Sequence, residues 1–78
     1  MKDDEKRFFL EVVSNKKLDE RISPRDIINS DGFYMHHKRA WYLLEKWSSK
    51  GWYDYGVTLD LGWITSKGYE FAKSIMTE

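Results

Sequence analysis

Residues 33–51 read FYMHHKRAWYLLEKWSSKG, and how this stretch is folded decides the rest of the chain. Its residues sort onto two faces at the helical step of about 100°. Leu43, His36, Trp47, Ala40, Phe33, Leu44, His37 and Trp41 fall on one half. Tyr34, Glu45, Lys38, Ser49, Tyr42, Met35, Lys46 and Arg39 fall on the other. The spacing predicts one long helix from about Phe33 to Ser49, stopped at Lys50-Gly51 with Gly as its C-cap. Both histidines then belong to the buried half. His36 is expected on the core stripe with one ring nitrogen hydrogen-bonded, and His37 at its edge against Trp41. Neighbouring helical positions point about 100° apart, so the two imidazoles do not converge on one metal ion. Lys38, Arg39, Tyr42 and Lys46 lie outward, with Tyr34 and Met35 beside them.

Upstream, Asp3, Asp4 and Glu5 precede an apolar stripe of Phe9, Val12 and Val13, flanked by Phe8 and Leu10. With Lys16 and Lys17 at the far end, the charges complement the dipole of a first helix over residues 3–15. Ser23-Pro24 is a helix start, Ser as N-cap and Pro in the first turn, and predicts a short second helix through Arg25-Asp26-Ile27-Ile28. Asn29-Ser30-Asp31-Gly32 breaks it with four turn residues. Downstream, WYDYGVTLDLGWI is rich in strand formers and predicts a hairpin of Trp52–Tyr55 with Leu61–Ile64. Leu18–Ile22 is a further short strand for its edge. Thr65 caps a last helix from about Ser66 to Met76.

The totals set bounds. A domain of 78 residues hides only roughly 60–65% of the unfolded chain's surface, so its core side chains must be large. Four Trp, five Tyr and four Phe supply that area. The absence of cysteine excludes disulfides, thiolate metal sites and cysteine nucleophiles. Two adjacent histidines fall short of the three or four ligands of a zinc site, and no metal or other cofactor is expected. The charged opening MKDDEKR and the lack of a long apolar run predict a cytoplasmic protein without a membrane segment. Thirteen basic and thirteen acidic residues cancel, which weighs against a dedicated nucleic-acid domain but leaves room for a local basic face. The Gly-bearing segments lack GxxxxGK[ST] spacing, and Asp54 and Asp60 have no partner base, so an enzyme is not expected.

Two stretches carry a resemblance. Leu43-Leu44-Glu45-Lys46-Trp47-Ser48-Ser49-Lys50-Gly51-Trp52 looks like the end of a recognition helix leading into a wing. Trp63-Ile64-Thr65-Ser66-Lys67-Gly68 is similar to the apolar–Leu–Thr–x–x–Gly step that leaves the wing and caps the next helix. With the order of elements, they resemble the winged helix-turn-helix superfamily, including the MarR-like and PadR-like regulators. This chain departs in a longer turn before the third helix and in tryptophans at 47, 52 and 63. Its small size and aromatic density also resemble small phage or prophage proteins. The implied fold is α+β and mostly α: a three-helix core, a two- or three-stranded β wing and a C-terminal helix, in one domain over residues 1–78.

In a winged helix the outward face of the third helix enters the DNA major groove. The resemblance thus implies a transcriptional regulator in which Arg39 meets a guanine edge or phosphate, and Lys38 and Lys46 meet phosphates. Tyr42 then touches a phosphate or thymine methyl, with Tyr34 beside it and Arg25 on the backbone. One such module makes few contacts, so a homodimer is expected through Tyr69 and Met76 of the last helix. The wing points elsewhere. From Gly51 to Ser66 there is no Lys or Arg, and two aspartates stand there. The alternative is a protein-interaction module on the same scaffold that presents aromatics to a protein partner and binds no DNA.

Overall fold

The computed structural model describes residues 1–14 and 23–77. They form, in order, α1 (Asp3–Ser14), α2 (Pro24–Ile28), α3 (His37–Ser49), β1 (Tyr53–Tyr55), β2 (Gly62–Ile64) and α4 (Ser66–Met76). This is a mostly helical α+β fold. The expected strand at Leu18–Ile22 lies outside the described residues.

Each boundary has a local cause. At the head of α2 the Asp26 carboxylate accepts hydrogen bonds from the Ser23 N–H and hydroxyl, at 2.9 and 3.0 Å. At the tail of α3, Gly51 takes φ +80°, the left-handed conformation that a side chain resists. There the Gly51 N–H bonds the Ser48 carbonyl and the Trp52 N–H bonds the Trp47 carbonyl. This pair of bonds is the Schellman stop, which settles the last carbonyls of the helix. Thr65 Oγ1 accepts from the Gly68 N–H at 3.1 Å and opens α4.

The third helix begins four residues later than its periodicity predicts. His36 is extended (φ −68°, ψ 142°) and its Nδ1 accepts from the Lys38 N–H at 3.1 Å, so it caps the helix rather than packing inside it. Phe33 falls on the apolar stripe by arithmetic but reaches the core from an irregular segment, edge-on to Phe8 at 5.7 Å. Tyr34 and Met35 likewise precede the helix. The buried arc of α3 is Ala40, Leu43, Leu44 and Trp47. His37 and Trp41, expected on the buried side, are exposed, and His36 is exposed with them.

The core is built around Trp47. Its ring meets Phe8 at 5.3 Å and Phe9 edge-on at 5.0 Å. Phe9 in turn meets Phe71, which stacks on Trp52 at 3.7 Å with the rings 9° apart. Phe8, expected at the margin of the α1 stripe, is wholly buried, while Val13 lies at the edge of the core. The hairpin pairs Tyr53 with Ile64, Asp54 with Trp63 and Tyr55 with Gly62, antiparallel. Its loop is closed from inside. Buried Tyr53 donates from its hydroxyl to the Leu59 carbonyl at 2.6 Å and accepts from the Gly62 N–H at 2.8 Å. No helix among the described residues is long and apolar enough to cross a membrane.

Candidate interaction surface on the third helix

Three sectors run along α3: the buried arc, a flank toward the start of α1, and an outward face. The flank holds Arg39 and Lys46, and the first turn of α1 brings the carboxylates of Asp4 and Glu5 to it. Arg39 Nε and Nη2 donate to the two oxygens of Asp4 at 2.6 and 2.9 Å, a bidentate pair. That guanidinium holds the Asp4 carboxyl down from the ordinary 3.8 to about 2. Glu5 is only 3% exposed; its carboxylate accepts from the Trp47 indole N–H at 3.0 Å and lies 3.1 Å from the Lys46 ammonium. A buried carboxylate is tolerable only with such donors. The Asp4 and Glu5 carboxylates also stand at the positive end of the α1 dipole.

Two further residues expected on DNA are engaged in the same way. Arg25 Nε and Nη2 donate to the Asp60 carboxylate at 2.7 and 3.1 Å. The Arg25 N–H meets the Asp60 carbonyl at 2.9 Å, so the hairpin loop is bolted to the start of α2. Arg25 and Thr58 together lower the Asp60 pKa, Arg25 first. Asp60 therefore acts as an internal partner, rather than as the outward repulsive charge its place in the wing suggested. Tyr34 donates to Glu11 at 2.9 Å and lies under the Arg7 guanidinium, 3.7 Å from ring centre to carbon. Of the six residues selected from the sequence, Arg25, Tyr34, Arg39 and Lys46 are thus held by carboxylates of this chain. Lys38 and Tyr42 remain on the outward face.

The ion pairs give an acid-sensitive joint. The folded pKa values of Asp4 and Asp60 lie below their ordinary values. The stabilisation from Asp4 is therefore present above its ordinary 3.8 and is lost as pH falls toward about 2, and that from Asp60 is lost in the same direction. Urea titrations through that window should show wild-type stability falling, and a flatter profile for Asp4→Asn. Parallel profiles would mean that the Arg39 pair contributes nothing to folding.

The outward face consists of His37, Lys38, Trp41, Tyr42, Glu45 and Ser49, all exposed. Trp41 is 40% and Tyr42 58% exposed. The first five line a shallow groove of about 350 Å³. On the hairpin Tyr55, Val57, Leu61 and Trp63 are exposed as well, with Val57 88% exposed at the tip. In α4, Met76 is exposed while Tyr69 packs against the core. Among the described residues no group of three or more His, Cys, Asp or Glu is arranged to hold a metal ion.

Sequence reasoning missed Glu5 and Asp60. Glu5 had a legible signal, since it stands three and four residues before Phe8 and Phe9 and so shares their face. Asp60 pairs across 35 positions of chain, a contact no local pattern encodes. Comparison with protein-family models, curated proteins and solved structures finds no match to this chain.

Proposed function

We propose that this chain is a protein-interaction module on a winged-helix scaffold, using the outward face of α3 and the hairpin tip as its contact surface. The order of helices and hairpin supports the scaffold. One observation carries the function: Arg39 and Lys46, two of the three α3 cations that DNA would need, are spent on Asp4 and Glu5, while Trp41 and Tyr42 stand exposed. Exposed aromatics of this kind supply most of the energy of protein contacts. A photocrosslinking residue in place of Tyr42 or Trp63, in cells that make the protein, should give discrete protease-sensitive adducts. The same residue in place of exposed Lys73 should give none. Adducts at neither contact position would overturn the reading.

A second reading, a DNA-binding transcriptional regulator, is favoured by Lys38, which makes no ion pair within the described residues and sits beside Tyr42. It expects affinity for random duplex DNA that falls linearly with log salt, with a slope shallower by about one in Lys38→Ala. No binding at low salt would exclude it.

A further inference from the structure

The outward face of α3 is complementary to itself. Lys38 and Glu45 stand seven residues apart on one stripe, about 10.5 Å along the axis, with Trp41 and Tyr42 midway between them. Neither charge has an ion pair within the described residues. We infer that this face docks against the same face of a second copy, as an antiparallel helix pair about a two-fold axis level with Trp41 and Tyr42. The inference rests on the reading of this face as a protein contact.

Symmetry does the matching. A two-fold axis perpendicular to α3, placed between positions 41 and 42, sets Lys38 of each copy against Glu45 of the other, twice over. Trp41 and Tyr42 each meet their own counterpart, on opposite sides of the stripe. The ion pairs fall at the ends of the contact and the aromatics at its centre, the usual arrangement of apolar middle and polar rim. A parallel pairing would set Lys against Lys and Glu against Glu, so the charges select the antiparallel one. Zero formal net charge removes long-range repulsion between copies. One helix pair covers less than the roughly 1,600 Å² of a standard interface, so the association is weak, in the micromolar range or above. The contact differs from one through α4, since Tyr69 and Met76 lie outside it.

Charge reversal tests the arrangement through sedimentation equilibrium from micromolar to millimolar protein. Lys38→Glu places Glu against Glu at both ends and should weaken self-association by about tenfold or more; Glu45→Lys should do the same with Lys against Lys. An equimolar mixture of the two variants restores both opposite-charge pairs and should recover association, as should the double variant Lys38→Glu/Glu45→Lys. Both positions are exposed, and circular dichroism checks that each variant keeps its helices. A wild type that stays monomeric at millimolar concentration overturns the inference. So does a mixture that associates no better than either variant alone. A Tyr42 photo-adduct containing only a different protein overturns the second copy as occupant and leaves the contact face standing. Duplex binding that weakens in Lys38→Ala, with no protein adduct, overturns the contact face itself.

Discussion

Trp47→Ala should leave the chain without a cooperative unfolding transition. Truncating a buried tryptophan costs about 3–5 kcal/mol in lost contacts and residual cavity. Here the indole is fully buried between Phe8 and Phe9, whose own ring contacts continue to Phe71 and Trp52. The same substitution removes the N–H donor on Glu5 and leaves a buried carboxylate short of a partner, about 1–3 kcal/mol more. A domain of this length has only about 4–12 kcal/mol in all. Loss of the near-ultraviolet dichroism and a featureless urea curve are the expected results. Trp47→Phe should fall between, since it keeps much of the packing and loses the hydrogen bond. A sharp, near-native transition in the alanine variant would show that the core is not organised around this ring.

Gly68→Ala should also destabilise, against the usual rule for helices. In an exposed helix the change stabilises by about 1 kcal/mol through propensity. At Gly68 a Cβ would collide with the Trp52 carbonyl oxygen and with Ile64 Cγ2, where α4 crosses the hairpin. One of those obstacles is backbone and cannot rotate away. Overpacking of this kind costs about 1–3 kcal/mol or more, enough to reverse the propensity gain. Gly56→Ala is the control, because a Cβ there meets nothing within 4 Å. Its unfolding free energy from urea titration should stay within about 0.5 kcal/mol of wild type, as is usual for surface positions. Equal midpoints for the two variants would refute the close approach.

The sequence was most readable where structure is local. Ser23-Pro24, Lys50-Gly51 and Thr65 each mark a boundary through a neighbour's backbone, and each boundary stands where those residues put it. The start of α3 was misplaced because a period of 3.6 residues records only which side chains reach the core. Phe33 reaches it without being helical. The same error turned the wheel, moving His37 and Trp41 inward and Arg39 and Lys46 outward. Periodicity also says nothing of what faces a charged residue. Arg39 and Asp4 are 35 residues apart, as are Arg25 and Asp60, and only the packing of α1 on α3 and of the hairpin on α2 brings them together.

The first turn of α1 has a consequence for any polyanion that approaches α3. Asp4 is tethered to the same folded chain as Arg39 and is always at hand, at an effective concentration far above that of a free phosphate. The helix carries its own competitor. A phosphate backbone gains the Arg39 fork only by displacing a carboxylate that re-forms its pair as soon as the intruder leaves. Added salt weakens the phosphate contact more than the tethered, partly buried pair, and so shifts the choice toward Asp4.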